Sequence, residues 1–138
     1  AFRMTEDSKA AGKKGAALAA RNKQTVLNYV DALRRQDRAA IDAALSQNFR
    51  YLRLNDRLSR FEYLDSLERT VLTSNKPRLE VSFVAADGDS VSVELALEFD
   101  FDGRRMKGLY NTIYVVDDGE LYEMREYGGI PELSAQGI

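Results

Sequence analysis

The chain has 138 residues, of which 44% are hydrophobic, and its formal net charge is -2. A chain of this length forms one domain with a single core. It lacks the basic excess typical of proteins that bind nucleic acid, so we expect no nucleic-acid partner. Cysteine and histidine are both absent, with counts of Cys 0 and His 0. Disulfides, cysteine nucleophiles, Ser-His-Asp triads and histidine-ligated metals are therefore excluded, and acid–base chemistry must use carboxylates, Tyr, Lys or bound water.

The two ends of the chain differ in composition from its middle. Residues 9–20 are mostly Ala, Gly and Lys, so residues 1–21 are predicted to form a flexible or partly helical extension. The domain is predicted over residues 22–130, and residues 131–138 as a tail. No apolar stretch reaches the ~18 residues that a membrane-spanning helix needs, so we expect no membrane partner. The lack of cysteine favours a cytoplasmic location.

The first predicted helix begins near Asn22. Its apolar residues recur at spacings of three and four, which places them on one helix face; they are Val26, Tyr29, Val30 and Leu33. A second, short helix is predicted after Asp37, which is a good N-cap, and it should end at Asn48. A strand follows over residues 49–54, and Asn55-Asp56 is predicted to be a turn.

A third helix is predicted from a capping box, in which Ser59 and Glu62 each bond the backbone of the other. Its apolar side should carry Phe61, Leu64, Leu67 and Val71.

Beyond Pro77 the pattern changes to strict alternation, which is typical of strands. The longest run covers residues 91–101 and places six apolar side chains on one face. Turn sequences at 87–89, 102–103 and 117–119 separate four predicted strands. Helices followed by hairpin-linked strands indicate an α+β domain, with the helices on one face of a curved antiparallel sheet.

This order of elements resembles the NTF2-like superfamily, which includes SnoaL-type polyketide cyclases, ketosteroid isomerase and limonene-epoxide hydrolase. The residues that carry the resemblance lie at 29–33 with Asp37 and Ile41, at 49–51, and at 118–121 with 124–127. The similarity covers about residues 22–129. It implies an NTF2-like cone, in which three N-terminal helices pack on a strongly bent antiparallel β-sheet and enclose a pocket. It also implies a homodimer that pairs through the outer face of the sheet.

The resemblance also implies roles for individual residues. Tyr29 falls where the isomerase branch has its oxyanion-stabilising tyrosine, and Arg53 falls where that branch has its carboxylate base. Thr112 falls near its protonated carboxylic acid. Glu126 matches the acidic residue that SnoaL-type enzymes use on the final strand. The Arg-x-Asp partner of the epoxide hydrolases has no counterpart, because the corresponding region reads Glu-Leu-Ala-Leu-Glu over residues 94–98.

Glu126 is the first candidate for catalysis. Alternation places it on the same face as Met124 and Tyr122, so Glu126 faces the pocket if Met124 does. A carboxyl in an apolar pocket has a raised pKa, which makes it a useful acid or base near neutral pH. The alternative is an outward Glu126 paired with an arginine. Arg53 could pair with Glu126 or hold an enolate or carboxylate of the ligand; its alternative is a surface position on an edge strand.

The remaining candidates would bind substrate. Several tyrosine hydroxyls in an apolar pocket suit a hydrophobic ligand that carries oxygen groups. The predicted binding residues are Tyr51, Leu95, Leu97, Phe99, Tyr110, Thr112, Tyr114 and Met124. The carboxylates on the other face of the same strand, Glu94, Glu98 and Asp100, could suggest a metal site. With no histidine nearby, they are better explained as a charge ladder with Arg105 and Lys107.

These observations predict a cofactor-independent isomerase, cyclase or lyase of the SnoaL type, with no metal. Its substrate would be a small apolar or polyketide-like molecule, Glu126 would transfer the proton, and Tyr29 and Arg53 would stabilise the oxyanion. The alternative is a non-catalytic ligand-binding or dimeric assembly module. A weaker alternative is a hydrolase in which Glu126 activates water.

Overall fold

The computed structural model describes residues 6–128, with side chains from residue 12 onward. Three helices and a six-stranded sheet make the α+β domain that the sequence predicts, with one additional strand, Asp56–Ser59, that it does not predict. A short 3-10 turn follows the third helix. The elements are α1 Glu6–Arg34, α2 Arg38–Ala44, β1 Leu45–Arg53, β2 Asp56–Ser59, α3 Arg60–Glu68, the 3-10 turn Val71–Thr73, β3 Arg78–Asp87, β4 Ser90–Phe101, β5 Arg104–Asp117 and β6 Glu120–Gly128.

Helix α1 buries the predicted face and is longer than the spacing indicates. The four apolar residues of that face are 0–5% exposed, and they are Val26, Tyr29, Val30 and Leu33. The helix begins at Glu6 rather than near Asn22, because Ala and Lys, which dominate the preceding residues, are good helix formers. Residues 1–5 of the expected extension, and the whole expected tail at 131–138, lie outside the described residues.

Helix α2 begins as predicted and ends early. Asp37 caps it by accepting a hydrogen bond from the Ala40 backbone at 3.1 Å. The predicted end at Asn48 is wrong, since the helix stops at Ala44 and Leu45 already starts β1. Leu45 is fully buried and pairs with Leu121 of β6. Sheet pairing with a distant segment therefore overrides the helical pattern at this boundary.

Helix α3 begins with the predicted capping box. The Glu62 backbone donates to Ser59 Oγ at 3.2 Å, and the Ser59 backbone donates to Glu62 Oε1 at 3.0 Å. Leu64 and Leu67 are buried as expected, whereas Phe61 is 79% exposed. The prediction that Phe61 shares their buried face is wrong, and its place in the core is taken by Tyr63.

The six strands form one sheet in the order β2-β1-β6-β5-β4-β3. Four of the five neighbouring pairs are antiparallel, but β1 pairs with β6 in parallel. The expectation of a wholly antiparallel sheet is wrong at this pair. Its two strands are separated by about half of the chain, so alternation along either strand carried no information about their relative direction. Strand β2 takes the edge at the predicted turn Asn55-Asp56, so β1 is an interior strand.

A bulge in β6 changes which side chains share a face. Val115 pairs with Glu123, while Val116 pairs with Leu121, so Tyr122 is an extra residue without a partner on β5. The Arg50 guanidinium lies 5.4 Å from the Tyr122 ring centroid, on the face opposite to Tyr51. The prediction that Tyr122 shares a face with Met124 is therefore wrong, because a bulge breaks the period of two.

One core cluster joins the helices to the inner face of the sheet. Helix α1 contacts β3, β4 and β5, whereas α3 contacts β1 and β2. Within residues 6–128, no helix has both the length and the apolar character needed to cross a bilayer.

The Gln36 side chain links the end of α1 to the 3-10 turn and the residue after it by hydrogen bonds. Its Nε2 lies 3.0 Å from the Val71 carbonyl, 3.3 Å from that of Leu72 and 2.8 Å from that of Ser74.

We expect Gln36→Ala to lower the free energy of unfolding by about 1–2 kcal/mol, because these partly buried carbonyls lose their donor. The exposed Gln24, whose side chain donates within residues 12–128 to Asn28 alone, is the matched control, and Gln24→Ala should change stability little. Urea unfolding of both variants measures this, and equal effects would contradict it.

Candidate active site

A cavity of about 470 Å³ lies between the inner face of the sheet and the segment that contains α3 and the 3-10 turn. Strands β1, β4, β5 and β6 contribute inward side chains at alternate positions, as expected from the pleat of a sheet. All eight predicted substrate-binding residues lie in its wall: Tyr51, Leu95, Leu97, Phe99, Tyr110, Thr112, Tyr114 and Met124. The structure therefore brings them together, and their binding of a substrate stays a prediction.

Glu126 of β6 also lies in the wall of this cavity. It pairs with Thr112 on β5, and the Tyr51 hydroxyl donates a hydrogen bond to its Oε1 at 2.9 Å. Burial raises the pKa of the Glu126 carboxyl to about 7, although the Tyr51 hydrogen bond and the positive charge of Arg53 both act to lower it. The carboxyl thus exists in both protonation states near neutral pH, the condition that suits a general acid or base.

Arg53 lines the cavity, and its side chain is only 15% exposed. Its Nη2 donates to Asp56 Oδ2 at 3.0 Å, so its ion pair is with the first residue of β2 rather than with Glu126. The alternative of a surface arginine on an edge strand does not match this position, because β2 covers β1. Arg53 therefore influences Glu126 by its charge, while its hydrogen bond goes to the β1–β2 turn.

Tyr29 does not line the cavity. It is 1% exposed, and its hydroxyl forms a hydrogen bond with the hydroxyl of Tyr63, which does lie in the cavity wall. Burial is the main cause that raises the pKa of both phenols well above the usual value, so both stay protonated. Of this pair, Tyr63 is therefore the residue in the cavity wall, and Tyr29 lies behind it.

Tyr63 and Asp56 are among the cavity-lining residues that the sequence patterns did not assign to the site. Tyr63 directly precedes Leu64 on α3 and is buried beside it; its position four residues before Leu67 was the available signal. Asp56 was assigned to a turn. The opposite charges of Arg53 and Asp56 on either side of a two-residue turn were a signal for a cross-strand pair.

The outer face of the sheet carries paired charges. Glu98 lies 3.2 Å from Arg105 and 3.5 Å from Lys107, and Asp100 lies 3.0 Å from Arg105. Glu94 accepts from the Ser82 hydroxyl at 2.8 Å. These contacts agree with a charge ladder, and residues 12–128 contain no group of three carboxylates placed to hold a metal ion.

A second buried carboxylate on β6, Glu123, differs from Glu126 in its charge state. Glu123 is 2% exposed, and both Arg50 Nε and Arg125 Nε lie 2.6 Å from its oxygens. Burial opposes ionisation, but hydrogen bonds from Arg125 and Arg50 hold the pKa of Glu123 below its usual value. Glu123 is therefore an ionised structural residue, and Glu126 alone of the two is poised to exchange a proton.

The Tyr51 hydrogen bond predicts the direction of a pKa change. In Tyr51→Phe the ionised form of Glu126 loses a donor, so the pKa of Glu126 should rise above about 7. Carbon-13 NMR of glutamate-labelled protein measures the titration, with the Glu126 signal assigned by its loss in Glu126→Gln. Tyr122→Phe is the control, because Tyr122 lies beside Arg50 on the outer face. A fall in the pKa of Glu126 in Tyr51→Phe would contradict this geometry.

The raised pKa of Glu126 also predicts how stability depends on pH. The folded state binds the Glu126 proton more tightly than the unfolded state, so this stabilisation is complete below about pH 4.5 and is lost as pH rises to about 7. Glu126→Gln should therefore match the wild type at pH 4.5 and exceed its stability at pH 8, by at most about 3 kcal/mol. Urea unfolding at both pH values tests this, with the exposed Glu120→Gln as control. A stability gain for Glu126→Gln that is the same at both pH values would be inconsistent with a buried titrating carboxyl.

Comparison with known proteins identifies the fold of the chain through solved structures rather than through sequence. No family model and no curated protein matches the chain. Among solved structures, it is similar to a protein of Jannaschia sp. CCS1 provisionally assigned as a SnoaL-like polyketide cyclase, with a TM-score of 0.70 and 20% identity over 86% of this chain and 91% of that one. It is also similar to an epoxide hydrolase of M. tuberculosis that resembles limonene-epoxide hydrolase, with a TM-score of 0.70 and 21% identity over 80% of this chain and 84% of that one.

A third similar structure is an NTF2-like protein of unknown function from Cytophaga hutchinsonii. Its TM-score is 0.64, and its identity is 17% over 83% of this chain and 94% of that one. Identities this low establish a shared fold and leave the activity open. The element order, the sheet and these structural neighbours together show that the chain has the NTF2-like fold.

Proposed function

We propose that the protein is a cofactor-independent isomerase, cyclase or lyase of the SnoaL type that moves a proton with Glu126. Its substrate would be a small apolar or polyketide-like molecule with an acidic C–H bond or a leaving group. One observation carries this proposal: Glu126 stands in the wall of a cavity and has a pKa of about 7. A carboxyl with this pKa can accept a proton from one atom and return it to another.

The surroundings of Glu126 suit that task. The Tyr51 hydroxyl holds Oε1 at 2.9 Å, which orients the carboxyl in the wall. Oε2 receives no hydrogen bond from residues 12–128 and is the oxygen that would take the proton. The cavity volume of about 470 Å³ is in the range of small-molecule sites, and aliphatic side chains from β4 would keep water from the reacting carbon.

Removal of a proton next to a carbonyl leaves negative charge on oxygen, which needs a donor. Tyr63, in the cavity wall, would fill this role: when Tyr29 donates the hydrogen bond between the two hydroxyls, the Tyr63 proton is left for the ligand. Arg53 would add positive charge on the same side of the cavity as Glu126. The oxyanion role that the resemblance implies for Tyr29 is thus proposed to reach the ligand through Tyr63.

The comparisons support this reaction class at the level of the fold. Cyclase-like and epoxide hydrolase structures share the chain's architecture, and a fold hosts many activities. The competing proposal is a ligand-binding or dimeric assembly module without chemistry. A cavity made only of apolar side chains would favour that proposal, whereas the group formed by Glu126, Tyr51, Tyr63 and Arg53 favours proton transfer.

Deuterium exchange into a ketone tests the proposal without knowledge of the natural substrate. The probe is a panel of bicyclic ketones with acidic α C–H bonds, followed by proton NMR in D₂O at neutral pH. The wild type should catalyse exchange, and Glu126→Gln should slow it by about 10²–10⁴-fold, the usual contribution of a general base. The exposed Glu120, at the start of the same strand, is the matched control, and Glu120→Gln should exchange at the wild-type rate.

The two proposals predict different outcomes. Exchange at equal rates in the wild type and in Glu126→Gln would remove Glu126 from the mechanism. Ketones that bind, as shown by line broadening, but do not exchange in the wild type would favour the binding module. For the enzyme, the exchange rate should rise with pH through about pH 7 as Glu126 ionises.

A further inference from the structure

Arg53 shares the cavity wall with two carboxylates that lie on different strands. Arg53 ends β1 and Asp56 begins β2, and the two residues are register partners across the turn. Their ion pair spans 3.0 Å, and the Asp56 side chain is 49% exposed. Glu126 belongs to β6, on the other side of β1. Asp56, Arg53 and Glu126 all line the same cavity.

Whether Arg53 pairs with Asp56 or with Glu126 matters, because a mostly buried guanidinium stabilises the ionised form of the carboxylate that it contacts. A direct contact with an arginine lowers the pKa of a carboxyl by about 1–3. An ion pair with Glu126 would therefore shift that residue towards its ionised form at neutral pH and leave less of the protonated form that returns a proton. Asp56, whose side chain is 49% exposed, accepts the pair at little desolvation cost.

The other side chains around Glu126 are neutral, so Arg53 supplies the charge that acts on its carboxyl. The side chains that interact electrostatically with Glu126 come from α1, β1, α3 and β5, and they are Tyr29, Tyr51, Arg53, Tyr63, Tyr110 and Tyr114. Burial raises the pKa of each of these tyrosines, so they remain neutral. Within residues 12–128, Arg53 is the charged side chain that acts on Glu126.

The remaining charges in the cavity wall have partners of their own. Glu62 is held by the backbone of Ser59 in the capping box. Asp65, near the end of α3, lies 3.4 Å from Arg69, which follows the helix. Neither carboxylate contacts Arg53, so Asp56 is the residue whose removal would release the guanidinium.

We propose that Asp56 is a positioning residue: its ion pair holds the Arg53 guanidinium at the β1–β2 turn and keeps Arg53 from pairing with Glu126. This inference deepens the proposed function and rests on it only in taking Glu126 as the group that transfers the proton. Asp56 itself need not touch substrate. Its effect reaches the reaction through the charge state of Glu126.

The test measures the titration of Glu126 by carbon-13 NMR in glutamate-labelled protein, with no ligand present. In Asp56→Asn, Arg53 loses its partner, and the pKa of Glu126 should fall by about 1. Asp65→Asn makes the same change of charge in the wall of the same cavity but frees Arg69 instead, so the pKa of Glu126 should not move. Asp56→Glu should keep the ion pair and the wild-type titration. An unchanged pKa in Asp56→Asn would overturn the proposal.

A second set of variants, made in Arg53→Gln, distinguishes the positioning of Arg53 by Asp56 from direct repulsion between the carboxylates of Asp56 and Glu126. In Arg53→Gln no guanidinium remains to be released, so adding Asp56→Asn should leave the pKa of Glu126 where Arg53→Gln alone puts it. An equal fall in the presence and absence of Arg53 would show that Asp56 acts by its own charge, which would also overturn the proposal. Urea unfolding checks that each variant is folded, and Asp56→Ser replaces Asp56→Asn if the latter is not.

The titration and the exchange assay can fail independently. A fall in the pKa of Glu126 in Asp56→Asn, in a protein that exchanges no ketone proton, would support the ion-pair inference and contradict the proposed function. Active exchange with an unmoved titration would do the reverse. If both hold, the rise of the exchange rate with pH in Asp56→Asn should shift to lower pH together with the titration of Glu126.

Discussion

The burial of one carboxyl, that of Glu126, is the constraint on which the candidate site depends. Burial disfavours the charged form, and without compensation the carboxyl would simply stay protonated. The Tyr51 hydroxyl, at 2.9 Å from Oε1, and the charge of Arg53 offset this effect in part. The balance places the pKa at about 7, close to the value at which proton transfer in both directions costs least.

Strand β6 shows how local geometry assigns opposite tasks to two similar residues. Glu123 and Glu126 are three positions apart, and both are largely withdrawn from solvent. Glu123 points to the outer face, where Arg50 and Arg125 keep it ionised, whereas Glu126 points into the cavity and meets a phenol. The bulge at Tyr122 lies just before this pair and sets the phase of the strand that follows.

Much of this arrangement could be predicted from local patterns. Helical spacing identified the buried face of α1, and the capping box identified the start of α3, because both depend on residues within one or two turns. Alternation along β4 identified Leu95, Leu97 and Phe99, which line the cavity. The pattern failed where a distant partner decided the outcome: at Leu45, which joins the sheet instead of α2, and at Tyr122, which a bulge moves to the outer face.

The sequence by itself determined the order of helices and hairpins, the absence of histidine and cysteine chemistry, and the inward phase of Glu126 relative to Met124. These follow from composition and from periodicities that act over a few residues. Only the tertiary structure decided that β1 lies parallel to β6, which brings Tyr51 to Glu126, and that Tyr63 stands between Tyr29 and the cavity. It also decided that Arg53 pairs with Asp56. These contacts join residues that lie far apart in the chain, or, as for Arg53, involve one of two carboxylates that the same side chain could bind. Local patterns do not distinguish these possibilities, whereas packing in three dimensions does.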